Sequence, residues 1–134
     1  MTQEKAQEKA LTSEELRKKI LGMDDLTVEK VWVPQWKTNV YVRAMSGLDR
    51  KNFEKGNTKI DEEENEVFDS EKVREALLVN TLCSDSEGKN LIFKPEDVDA
   101  LGNKSFKALH KCVEVTMRLN GVQNLEEDEE EKNS

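Results

Sequence analysis

Few residues in this 134-residue chain have side chains suited to nucleophilic or metal chemistry: one histidine, His110, and two cysteines, Cys83 and Cys112. A catalytic thiol needs an electropositive setting, a base in reach and a third group to orient that base. Nothing in the sequence places those three together. His110 falls mid-helix between Leu109 and Lys111, where a lone histidine is an ordinary surface or boundary residue. No HExxH or CxxC spacing recruits a metal, and two cysteines are too few for a secreted disulfide scaffold. Reduced, half-buried thiols are expected. No GxGxxG or GxxxxGK[ST] loop offers a phosphate cradle. Carboxylates abound, but acid–base catalysis requires a desolvated, shifted carboxylate, and most here lie in runs expected to be wet. The reading is a non-enzyme without cofactor or metal.

The physically distinctive cluster is aromatic. Trp32, Trp36 and Tyr41 are three of only seven aromatic residues and fall within ten positions. Such residues either cover adjacent helices or form a contact surface, because aromatics carry large burial area at small entropic cost. Core packing is the favoured account of Trp32. Trp36 follows a proline in a loop, where a core role is the weaker account. Trp32, Trp36, Tyr41 and Arg43 are the candidate partner-binding residues.

Local signals order the elements that must position this cluster. Thr12 with Glu15 three residues on is a capping-box pattern, followed by Leu16, Ile20 and Leu21 before Gly22, a short helix. From Val28 the chain turns β-branched and aromatic. Val40, Val42 and Ala44 share one face while Tyr41, Arg43 and Met45 share the other, predicting a β-hairpin over about 28–45. Ser46 and Asp49 suggest a second cap, with a helix from Leu48 to Lys55 closed by Gly56. Ser70 can cap a helix carrying Val73, Ala76, Leu77, Leu78 and Val79 up to Cys83, buried on most sides. After a turn at Asp85-Ser86-Glu87-Gly88 and an extended Leu91-Ile92-Phe93, Pro95 suits the first turn of a helix ending at Gly102. Phe106, Leu109, Val113 and Met117 then form the stripe of a final helix, flanked by Cys112, Val115 and Leu119 and stopped by Gly121. The fold class is α+β, a hairpin packed on about four helices.

Composition sets the bounds of that unit. Apolar residues are 35% of the chain, about 39% with its 6 glycines counted, below the roughly 45–50% (glycine included) usual for a globular chain, so part of it is expected to be solvated. Lys+Arg number 21 against Asp+Glu 29, a net charge of −8. Binding phosphates requires a clustered cationic face, so nucleic acid and anionic membrane are set aside as main ligands. No apolar run approaches the ~18 residues of a membrane span and no signal-peptide core opens the chain, which predicts a soluble cytosolic protein. Residues 1–60 carry a net +3 and residues 61–134 a net −11. Acid concentrates in Asp61-Glu62-Glu63-Glu64 and in the unbroken run 126–131. Like charges at this density repel, and no apolar face offsets the ordering entropy. The expectation is a flexible N-terminus at 1–12, one domain at 13–122 with a mobile acidic loop at about 57–69, helices at about 70–121, and a disordered acidic tail at 123–134.

The ordered residues resemble a known family. Val31-Trp32-Val33-Pro34-Gln35-Trp36 and Val40-Tyr41-Val42-Arg43-Ala44-Met45-Ser46-Gly47-Leu48-Asp49-Arg50 are similar to the N-terminal half of tail assembly chaperones from long-tailed bacteriophages and prophages of Gram-positive hosts. Val73-Arg74, Leu77-Leu78, Leu82-Cys83-Ser84-Asp85, Gly88, Leu91-Ile92-Phe93, Asp97-Val98, Leu101-Gly102, Lys104-Ser105, Ala108-Leu109 and Leu119-Asn120-Gly121 follow in the same order. The resemblance covers about residues 28–122. It departs where relatives often have glycine after the loop tryptophan, since Lys37 and Thr38 stand there.

This resemblance implies a non-enzymatic helper that binds the long, aggregation-prone tape measure protein and keeps it soluble while tail tube subunits polymerise around it. Such a protein acts in the host cytoplasm and is absent from the finished virion. Two alternatives stand beside it: a structural tail or head completion protein retained in the virion, and an acidic nucleic-acid mimic acting against the host. The family's genes commonly carry a minus-one frameshift near their end. Codons for Glu131-Lys132-Asn133 permit a continuous run of adenines, so the resemblance also implies a longer form of the chain joined through its acidic end.

Overall fold

The computed structural model describes residues 10–121. The sequence expectations for residues 1–9 and for the acidic tail lie outside them. Helix α1, Ser13–Leu21, opens on the expected capping box: Thr12 Oγ1 accepts from the Glu15 amide at 3.1 Å, and Glu15 Oε1 accepts from the Thr12 amide at 3.0 Å. None of its residues is buried.

Strands β1, Val28–Val33, and β2, Thr38–Arg43, pair antiparallel with Val31 opposite Val40 and Val33 opposite Thr38. Alternation sends Val31, Val33, Val40 and Val42 into the core, as strand pleating requires. The turn is four residues, Pro34 to Lys37. The Trp36 amide donates to the Val33 carbonyl at 3.1 Å, and Lys37 has φ 53°.

A capping box of Ser46 and Asp49 starts helix α2, Gly47–Gly56. The stretch at about 57–69, expected as a mobile acidic loop, instead folds as a hairpin of β3, Thr58–Ile60, and β4, Glu66–Phe68. Its acids act locally: Asp61 Oδ1 accepts from the Glu63 and Asn65 amides at 2.9 and 2.8 Å, and Glu64 takes the left-handed position at φ 64°. Asn57 closes the base by donating Nδ2 to the Asp69 carbonyl at 3.1 Å, while Phe68 packs edge-on to buried Phe53 at 6.1 Å. One apolar anchor and a fully bonded turn outweigh the charge density that suggested disorder.

Helix α3, Val73–Thr81, buries Val73, Ala76, Leu77, Leu78, Val79 and Thr81. Ser70 does not cap it. Lys72 holds the cap position without a side-chain bond, and the preceding Asp69 carboxylate turns back to the Glu71 amide at 3.1 Å. The helix also ends two residues earlier than expected. Leu82–Cys83 is a strand, β5, that pairs with β2 (Tyr41 with Cys83, Val42 with Leu82), so the expected hairpin is a three-stranded sheet of order β1-β2-β5. Leu91 bridges to Cys83 on the outer side.

Gly88 makes the intervening turn possible. It has φ +70°, and a Cβ there would sit 2.8 Å from Val28 Cγ2, a position only glycine accepts. A 3₁₀ turn, Pro95–Asp97, leads into helix α4, Val98–Gly102, and Ser105 caps helix α5, Phe106–Leu119. The buried face of α5 is Ala108, Leu109, Cys112, Val113 and Thr116. Phe106, expected in that stripe, is 70% exposed at the first helical position; its ring stacks on His110 and lies under the Arg74 guanidinium of α3, 5.7 Å from the ring centroid. The architecture is α+β, with α5 packed on β1 and β2 and α3 packed on α5, around one shared core.

The left-handed Lys37 yields a direct prediction. Lys37→Gly removes the Cβ strain at that turn and should stabilise the protein by about 0.5 to 1 kcal/mol, read as a higher urea midpoint at unchanged slope.

Candidate partner-binding surface

The four candidate residues reach four different environments. Trp36 leaves the turn and leans against the core, half-buried, where it forms one wall of a groove of about 490 Å³. Phe93, Ala100 and Leu101 supply the rest of the apolar lining, with Asp97 and Lys104 at the rim. Phe93 follows Leu91 and Ile92, which run antiparallel along β5, Leu91 bridging to Cys83 and the Ile92 amide donating to the Leu82 carbonyl at 3.0 Å. Ala100 and Leu101 come from α4. Asp97 is already committed, accepting from the Lys94 amide at 2.8 Å. The groove therefore offers an apolar floor with one lysine at its edge, a shape suited to an apolar side chain.

Trp32 is not in the core. Val31 and Val33 point inward, so pleating turns Trp32 outward, where it is 51% exposed. Its backbone carbonyl accepts from Lys111 Nζ of α5, holding the strand edge against the helix. Tyr41 shares this outer face, opposite Lys30 on β1 and Cys83 on β5, and is half-buried. Leu91, exposed, extends the same row.

Arg43 faces inward. Its Nε donates to the Asn80 carbonyl at 3.2 Å, Nη1 to the Gly88 carbonyl at 3.2 Å, and Nη2 to Asp49 Oδ1 at 3.0 Å. The pair is 17% and 19% exposed. Three guanidinium donors are thus spent on the fold itself, and the residue positions the surface rather than presenting charge on it. Sequence reasoning did not find Phe93, Ala100, Leu101 and Lys104 as a group. Their meeting depends on how α4 folds back against the hairpin turn, and no periodicity reports that.

A sequence model of the family described as phage tail assembly chaperone matches residues 15–133. The chain belongs to this family. Among solved structures, that of the bacteriophage HK97 tail assembly chaperone is similar, with a TM-score of 0.52, 84% of this chain and 98% of that chain covered, and 16% identity. At that identity the likeness is one of fold. No curated protein matches the chain.

In this tail assembly chaperone the histidine and the two cysteines are dispersed. His110 Nε2 lies 2.9 Å from Glu114 Oε1 on the exposed side of α5, whereas Cys112, two residues on, points to the opposite, buried side. Both thiols are free and fully buried, not half-buried as expected. Burial pushes the Cys83 thiol up and the Cys112 thiol up to about 11. No helix among the described residues is long and apolar enough to cross a membrane.

Two predictions arise from these contacts. Arg43→Lys loses the fork that serves three acceptors and should cost about 2 to 4 kcal/mol in stability, measured by urea unfolding; a change below about 0.5 kcal/mol would refute the positioning role. For Cys112, the folded thiol titrates near 11 against about 9 when exposed. The unfolded state therefore loses its proton first as pH rises from 9 to 11. Stability from this group is intact below pH 9 and falls by about 2 to 3 kcal/mol across that window. Cys112→Ser should flatten this part of the pH profile.

Proposed function

We propose that this protein binds the tape measure protein during phage tail assembly, keeps it soluble, and aids polymerisation of the tail tube protein around it. It works by binding rather than by catalysis, in the cytoplasm of the host bacterium, and does not remain in the mature virion. The observation that carries this reading is the family match over residues 15–133, taken with an apolar groove at Trp36 and a separately exposed Trp32 on a protein of net charge −8. An apolar patch on an acidic surface shields apolar helices of a partner while like charge limits self-association. Trp36 and Trp32 are the proposed contacts, with Tyr41 beside them and Arg43 holding β2 in place. A longer, minus-one frameshifted form that shares residues up to about 132 belongs to the same proposal and would appear by mass spectrometry of infected cells.

Co-expression with the tape measure protein, followed by pull-down and a solubility assay, tests the reading. The wild-type chain should retain the partner in the soluble fraction. Trp32→Ala and Trp36→Ala should each weaken binding by about 2 kcal/mol, or thirtyfold, and Trp32→Ala should leave the thermal midpoint within a degree or so of wild type because its side chain lies outside the core. Failure of the wild-type chain to bind or solubilise the partner sinks the proposal. Its recovery in purified virions would favour a retained structural component.

A further inference from the structure

Asn120-Gly121 is the one place in the chain where an asparagine precedes a glycine. Such a pair is chemically labile. The glycine amide nitrogen, unobstructed because the next carbon bears no side chain, attacks the asparagine side-chain carbonyl carbon and closes a five-membered imide. The N–Cγ bond forms, the Cγ–Nδ2 bond breaks, and Nδ2 leaves as ammonia with the amide proton. Water then opens the ring at either carbonyl, leaving aspartate or its backbone isomer, isoaspartate. Water is the only co-reactant, and Gly121 is exposed, with nothing within 4 Å of where a Cβ would stand.

The fold withholds this reaction. Asn120 has ψ 6°, so the Gly121 nitrogen lies beside the Asn120 nitrogen and is turned away from Cβ, where ring closure needs it. Both ends of the side-chain amide are also held: Oδ1 accepts from the Met45 amide at 2.8 Å, and Nδ2 donates to the Thr116 carbonyl at 2.7 Å. Freeing the site means breaking both bonds and rotating the peptide, so the last turn of α5 must leave Met45. Leu119, packed against the core, and Arg118, 2.7 Å from Glu29, hold that turn down. Helix ends open at lower free energy than the core they flank. The way back is barred. A carboxylate in place of the amide has no donor for the Thr116 carbonyl and sets two acceptors against each other, and an isoaspartyl link adds a carbon to the backbone before Gly121.

We propose that Asn120-Gly121 is a latent modification site and a one-way latch: it is silent while the end of α5 is docked on Met45, reacts when that turn opens, and thereafter keeps the turn loosened. The latch is independent of what the protein binds.

Peptide mass spectrometry of the full chain, incubated over time in mildly alkaline buffer, tests this by following conversion of Asn120 to aspartate and isoaspartate. Conversion should run at least tenfold slower in the folded chain than in the same chain in guanidinium chloride. With each rate taken relative to the variant's own denatured chain, Leu119→Ala should speed conversion at least threefold in native buffer. Val73→Ala, at the opposite end of α3 from the contact between Thr81 and Thr116, should not. Asn120→Asp should lower the urea midpoint. Equal rates in the folded and denatured chains, no conversion in the denatured one, or no acceleration by Leu119→Ala overturns the proposal. So does equal acceleration by Val73→Ala, since the opening would then be global, or an Asn120→Asp midpoint equal to that of wild type.

Discussion

The guanidinium of Arg43 is the contact on which the arrangement of this domain turns. Helix α3 passes into strand β5 with no connecting loop, so its last carbonyls must find partners without a capping segment. Arg43 supplies one donor to the Asn80 carbonyl and places a cation at the negative end of the helix. The same group reaches Asp49, whose other oxygen caps α2 through the Ser46 amide, and the Gly88 carbonyl of the loop that leaves β5. One side chain thereby ties β2, α2, α3 and the following turn. Gly88 must be glycine for this to close, because any Cβ would strike Val28 and Arg43.

With α3 fixed at its C-terminal end, the rest of the core packs around it. Six of its nine residues are buried, and α5 lies alongside. Where the two helices meet, Thr81 and Thr116 each return a hydroxyl to the carbonyl four residues back, at 2.9 Å, and face each other at 3.3 Å. Local bonds satisfy both buried hydroxyls, so the pair avoids the 1–3 kcal/mol penalty of an unmet polar group. At the far end, Asn120 Oδ1 accepts from the Met45 amide at 2.8 Å, joining the end of α5 to the link between β2 and α2. The groove inherits this rigidity, since Leu101 is itself buried in the same core.

Much of this was legible in the sequence because the signals are local. Thr12 with Glu15, Ser46 with Asp49, Pro95 at a first turn and Gly121 after α5 each report backbone chemistry within four residues. The alternation of Val40, Val42 and Ala44 reported the inner face of β2 correctly. What failed was long-range or depended on neighbours. Leu82 and Cys83 continue an apolar helical run in sequence, and only pairing with Val42 and Tyr41 makes them a strand. Trp32 looks like a core residue by type, yet the register that buries Val31 and Val33 forces it out. The resemblance marked Arg43 as part of a shared segment without telling contact from support, and the acids of residues 61–64 concealed a turn that those same acids stabilise.

The size of the groove bears on how a chaperone of this kind lets go. About 490 Å³, against roughly 150 Å³ for a benzene-sized group, accommodates about three apolar side chains. At roughly 1.5 to 3 kcal/mol each they contribute about 4.5 to 9 kcal/mol, which falls short of the roughly 8 kcal/mol of a micromolar complex once the several kcal/mol cost of association is subtracted. Under the proposed function, affinity then depends on adding the exposed face of Trp32 and Tyr41 to the groove, two patches separated by the hairpin turn itself. A partner must present apolar side chains on a surface long enough to touch both. A short apolar peptide fits only one and leaves quickly. That requirement selects extended apolar helices over folded proteins, whose surfaces seldom expose contiguous apolar area, and it keeps each contact weak enough to be lost when a competing surface covers the helix.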